Sequence, residues 1–92
     1  MNPAPSIANI VIPVRLMADR EVSSTAKLLY GLIDYYAMMS GGVCYETNAC
    51  LASWLCDCTP RHITKLVGEL RNAGYIRTEI IEGFYREIYL CK

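Results

Sequence analysis

Between Cys56 and Lys65 the chain reads CDCTPRHITK. These ten positions hold two cysteines, a histidine, a proline, an arginine and a lysine. Two chemistries compete for them. Cys56, Cys58 and His62, with Cys50 upstream, carry atoms that ligate metal. Thr59, Arg61, His62, Thr64 and Lys65 carry groups that meet nucleic acid.

Spacing argues against the metal. Structural zinc sites pair their cysteines with two to four residues between them, so that both sulfurs can turn to one ion. C-x-C is tighter, no second pair exists elsewhere, and Cys50 lies more than a helical turn before Cys56. A Cys56–Cys58 disulfide would close a strained one-residue loop. The expectation is a thiol-lined turn with no metal and no cofactor. The five cysteines (Cys44, Cys50, Cys56, Cys58 and Cys91) are an odd number, unsuited to a disulfide framework, and read as small apolar fillers.

The nucleic-acid reading draws on charge. Formal net charge is zero over 92 residues, which suits one domain, but the charge is unevenly placed. Residues 1 to 58 hold three basic and five acidic side chains. Residues 59 to 78 hold Arg61, Lys65, Arg71 and Arg77 against Glu69 alone. A local basic patch on a neutral domain can hold phosphate when other contacts help.

The elements that must position this segment follow from periodicity and stop signals. Residues 1 to 9 carry two prolines and no period, and read as a flexible arm before a domain over 10 to 92. Ile10 to Val14 is a short β-branched run with Pro13 inside it, an edge-strand candidate. Ser23 or Ser24 caps a first helix whose apolar stripe is Ala26, Leu29, Tyr30, Ile33 and Tyr36; Gly41-Gly42 ends it. Val43 to Tyr45 has room for a short strand. Thr47 or Asn48 caps a second helix that buries Leu51, Trp54 and Leu55.

Thr59 followed by Pro60 is a strong start signal, a hydroxyl cap and then proline where a missing N–H does no harm. The third helix buries Ile63, Leu66, Val67 and Leu70, and Gly74 closes it. That stripe places Arg61, Lys65, Gly68 and Asn72 on the opposite face, flanked by His62 and Thr64. Tyr75 to Ile81 and Phe84 to Leu90 form a hairpin across Glu82-Gly83, and a two-residue loop sets Glu79 opposite Arg86. Apolar residues on both hairpin faces leave the register open. Glycine at 68 costs about 1 kcal/mol against alanine in a helix interior, and on the outer face it allows a backbone to approach closely.

The order is mainly α with a small β-hairpin: three helices plus a wing, a winged helix-turn-helix. IPVRLMADREVSSTAKLLYGLIDYY is similar to the opening of plasmid and phage replication initiators of the RepA N-terminal type, through Ser23, Ala26, Lys27, Leu29 and Tyr30. TNACLASWLCDCTPRHITKLVGELRNAGYI resembles the helix-turn-helix of that group and of many bacterial regulators, through Asn48, Leu51, Ala52, Leu55, Thr59, Arg61, Ile63, Leu70, Gly74, Tyr75 and Ile76. The turn departs from the pattern, with Cys56-Asp57-Cys58 where glycine is customary, and His62 stands in place of threonine.

The expected function is sequence-specific binding of double-stranded DNA, in replication initiation or transcriptional regulation. Its contacts would be Thr59, Arg61, His62, Thr64, Lys65 and Asn72, with Arg77 at the wing base. A homodimer and a replication or regulatory protein are further partners the reading allows. The competing reading is a protein-interaction domain, which zero net charge suits. Enzyme chemistry finds no support in a chain with one histidine and no glycine-rich phosphate loop. The opening residues lack a basic leader and a long apolar block, and no apolar run approaches the roughly 18 residues of a membrane span. A cytoplasmic protein without membrane contact is expected.

Overall fold

The computed structural model describes residues 9–55, 58–81 and 85–91. Of the arm expected over 1 to 9, only Asn9 lies among the described residues. The helix starts are set by side-chain caps. Ser23 Oγ accepts from the Ala26 N–H at 3.2 Å and opens a helix over Ser24–Met39. Thr47 Oγ1 accepts from the Cys50 N–H at 3.1 Å before a helix over Asn48–Trp54. Thr59 Oγ1 accepts from the His62 N–H at 3.1 Å before a helix over Pro60–Asn72. Each hydroxyl satisfies one of the orphan donors of a first turn.

The longest helix stops where Gly41 and Gly42 turn to φ 76° and 117° and the Gly42 N–H closes back on the Ala37 carbonyl at 2.7 Å. Gly74, at φ 87°, ends the last helix in the same left-handed way.

A fourth helix was not foreseen. The run Ile10 to Val14 does not form the expected edge strand. Pro13 offers no N–H to a ladder, and a single turn, Val14–Met17, starts directly after it and buries Leu16. Ile10 rests instead on the long helix at Gly31. A Cβ added there would come within 2.6 Å of Ile10 Cδ1, so glycine makes room for the incoming chain. In chain order the helices are α1 (Val14–Met17), α2 (Ser24–Met39), α3 (Asn48–Trp54) and α4 (Pro60–Asn72). The strands are β1 (Val43–Cys44), β2 (Ile76–Ile81) and β3 (Tyr85–Leu90).

The hairpin does not stand alone. The short strand β1 pairs with β3, giving a three-stranded antiparallel sheet of order β1-β3-β2. The register, open from the sequence, is not that of a two-residue loop. Glu79 faces Glu87, and Arg86 faces Ile80. The last described pair is Ile81 with Tyr85, so three residues separate the strands rather than two, and every partner moves by one. The Glu82-Gly83 turn lies outside the described residues. Two carboxylates facing each other would repel, but each is engaged locally. Glu79 pairs with Arg77, and Glu87 accepts from the Tyr89 hydroxyl.

The core lies between the helices and one face of the sheet. Leu16, Leu29, Ile33, Leu51, Ile63, Leu70 and Ile88 are fully buried there. Tyr36 joins α2 to α3. Its hydroxyl accepts from the Trp54 indole N–H at 2.7 Å and from the Cys50 thiol at 3.7 Å. Burial, and then the thiol bond, push its pKa up to about 12. The described residues form a compact mixed fold of four helices and one antiparallel sheet. Among the described residues no helix is long and apolar enough to cross a membrane.

Candidate nucleic-acid interface

The position of α4 follows from its apolar stripe. Ile63, Leu66, Val67 and Leu70 are 0%, 2%, 3% and 0% exposed, all turned to the core as their spacing requires. The opposite face is therefore fixed. Arg61, His62, Thr64, Lys65 and Asn72 are all exposed, and so is the cap Thr59. Their surroundings differ.

Arg61 and Lys65 sit one turn apart, about 6 Å along the axis. Among the described residues neither of these two cations has an ion-pair partner. The nearest candidate to neutralise Lys65 is Glu69, one turn further on. It is committed elsewhere. Glu69 accepts from the Ser23 N–H at 2.9 Å and from the Ser23 hydroxyl at 3.3 Å. In a capping box the acid that bonds the cap N–H comes from the third residue of the same helix. Here that residue is Ala26, and the acid arrives from α4, 46 residues away in sequence. One contact thus completes the start of α2 and removes the only acid of α4 from its basic row.

Thr64 is not free. Its hydroxyl oxygen accepts from Asn48 Nδ2 at 2.8 Å and lies 3.4 Å from the Pro60 carbonyl, to which it can donate. His62 Nδ1 lies 3.5 Å from Cys58 Sγ. Cys56 lies outside the described residues. Among the described residues no group of three metal-ligating side chains comes together.

Asn72 lies eleven residues beyond Arg61, about 16 Å up the helix. It lines a shallow groove with Asp19, Glu21, Glu69 and Ala73. The hydrogen bond from the Tyr75 hydroxyl, at 2.7 Å, and the Glu21 N–H hold the Asp19 carboxyl below its usual range, so this end of the face stays negative.

Arg77 projects from the outer face of the sheet. It pairs with Glu79, and its guanidinium lies 4.2 Å over the ring of Tyr89. The expected pairing of Arg86 with Glu79 does not occur. Arg86 lies half-buried on the core side of the sheet and donates to the Glu46 carbonyl at 3.1 Å. Burial lowers its pKa.

At Gly68 the fold makes no demand for glycine. A Cβ built there would meet nothing nearer than Arg71 Nη2 at 3.9 Å. Of the residues that shape this surface, Asn48, Ser23 and Glu69 were missed as partners. Their contacts cross between helices, and the only signal for Asn48 was its place in the helix-turn-helix pattern. Compared with protein-family models, curated proteins and solved structures, the chain gives no significant match.

Proposed function

We propose that this chain is a winged helix-turn-helix domain of the kind seen in plasmid and phage replication initiators and bacterial regulators. It would bind double-stranded DNA with α4 in the major groove and the β2–β3 hairpin as the wing. The observation that carries this reading is the state of Arg61 and Lys65. They are exposed, adjacent on one face and unpaired among the described residues, while the acid that could quench them is tied to Ser23. An arginine can make paired bonds to guanine, and a lysine serves bases or phosphate. The start of α4 adds little to a phosphate site, since Pro60 has no N–H and Thr59 already caps that of His62. Arg77 has a weaker case than the sequence alone suggested, since Glu79 and Tyr89 already hold it. Asn72 has a weaker case for its acidic surroundings.

The test is fluorescence anisotropy on a random-sequence duplex over a salt series. Each phosphate contact adds about −0.9 to the slope of log affinity against log salt. A slope of about −2 or steeper, falling by about one unit in Lys65→Ala, is expected. No binding at low salt would end the proposal.

A second reading is a protein-docking domain. Val11 and Met38, 64% and 74% exposed, line one hollow on the outer side of α2 with Ile10 and Tyr35, an apolar surface a partner could cover. DNA binding that is flat with salt and indifferent to Lys65→Ala would favour it.

A further inference from the structure

Contacts across the turn between α3 and α4 must hold the angle between the two helices. Asn48 is placed to do so. It is the first residue of α3, and its side chain crosses to the first turn of α4. Nδ2 donates to Thr64 Oγ1 at 2.8 Å and to the Pro60 carbonyl at 3.3 Å. The orientation of the amide is determined by chemistry. The Pro60 oxygen can only accept, so the NH2 group must face it, and turning the amide over would set two oxygens against each other.

The two anchors have a telling position. Pro60 immediately precedes Arg61, and Thr64 immediately precedes Lys65. Asn48 therefore grips α4 at the residue before each of the two unpaired cations. The same bond takes one lone pair of the Thr64 hydroxyl. On its other side Asn48 lines a hollow with Tyr45, Thr47, Tyr85 and Arg86, and its Oδ1 is buried without a donor among the described residues.

Resting on the DNA-binding reading, we infer that Asn48 is a positioning residue. It touches no nucleotide, and it sets DNA affinity by holding the first turn of α4, and so Arg61 and Lys65, at a fixed angle to α3. Thr64 is its partner in this lock rather than a reader of bases.

The experiment compares the full chain as wild type, Asn48→Ala, Thr64→Val and the double variant, with Lys65→Ala as the reference for a lost direct contact. Each is titrated with a random-sequence duplex at several salt concentrations, and thermal unfolding is recorded on the same samples. Asn48→Ala is expected to weaken binding about five-fold and Thr64→Val less, because the first removes both bonds to α4 and the second only one; the double variant should lose no more than Asn48→Ala, since the 2.8 Å bond is common to both changes. The salt slope should become shallower, since the cations engage less well, while the melting temperature changes little.

Additive losses, or an affinity loss with an unchanged slope that tracks a lower melting temperature, would overturn the inference. If Asn48→Ala does not fold, Thr64→Val decides alone, since it removes the bond and keeps the shape of the side chain. Wild-type binding that is lost in Lys65→Ala but intact in Asn48→Ala would sink this inference and leave the DNA reading standing. Absence of wild-type binding would remove both.

Discussion

The two halves of α4 share one helix and one apolar stripe, yet they do opposite things with charge. The first half, Pro60 to Lys65, presents Arg61 and Lys65 to solvent and is held from behind by Asn48. The second half turns its polar groups toward neighbouring elements. Glu69 caps α2 through Ser23, Arg71 reaches Thr78 at 3.4 Å, and Asn72 lies beside Asp19 and Glu21. The difference teaches that an amphipathic face is not uniform. Its exposed residues are defined by what the neighbouring elements leave unpaired. The first half sets two cations on its outer face with no acid beside them, whereas the second half mixes Arg71 with Glu69 and the carboxylates near Asn72.

The largest effect should come from the shared support of both halves. Ile63 is fully buried between them and the core. Ile63→Ala is expected to cost about 2–5 kcal/mol in urea unfolding, from lost burial and the cavity left behind. A cost below about 1 kcal/mol would mean that α4 is not anchored through this stripe.

Next comes the contrast itself. The double change Arg61→Ala with Lys65→Ala should weaken duplex binding by about 2 kcal/mol or more, whereas Asn72→Ala should change it by less than about 0.5 kcal/mol. An equal loss in both would abolish the distinction between the halves.

A smaller effect isolates the inward half. Glu69→Ala removes the acid that bonds the Ser23 N–H and should lower stability by about 1 kcal/mol. DNA binding should be unchanged or slightly tighter, because a carboxylate beside the basic row is gone. Weaker binding in a folded Glu69→Ala protein would show that the second half takes part in recognition.

The smallest effect probes the boundary. Gly68→Ala meets open space and should stabilise α4 by about 0.5–1 kcal/mol in thermal unfolding. If a DNA backbone passes close to this point, affinity falls as stability rises. Unchanged affinity would confine the contact to the first half of the helix.

Much of this molecule follows from local patterns. Thr59-Pro60 opens α4 and Gly74 closes it, Ser23 and the Gly41-Gly42 pair bound α2, and the four aliphatic side chains of α4 all turn inward. These signals are legible because a cap, a left-handed glycine and a 3.6-residue period each act within a turn or two of chain. The exposed row of Arg61 and Lys65 follows from them directly.

What the tertiary structure decided has longer reach. Ile10 to Val14 became an arm and a single turn because Pro13 breaks a ladder and Gly31 offers the incoming chain a seat. The hairpin register, open from the sequence, was set by the pairing of Ile81 with Tyr85, and β1 closed the sheet from a distant part of the chain. Glu69 found Ser23, Asn48 found Thr64, and Arg77 was taken by Glu79 and Tyr89. Sequence patterns of this range fix which face a side chain occupies. They do not fix its partner, because a hydrogen bond or ion pair depends on ångström-scale approach between elements whose packing exists only in the folded chain.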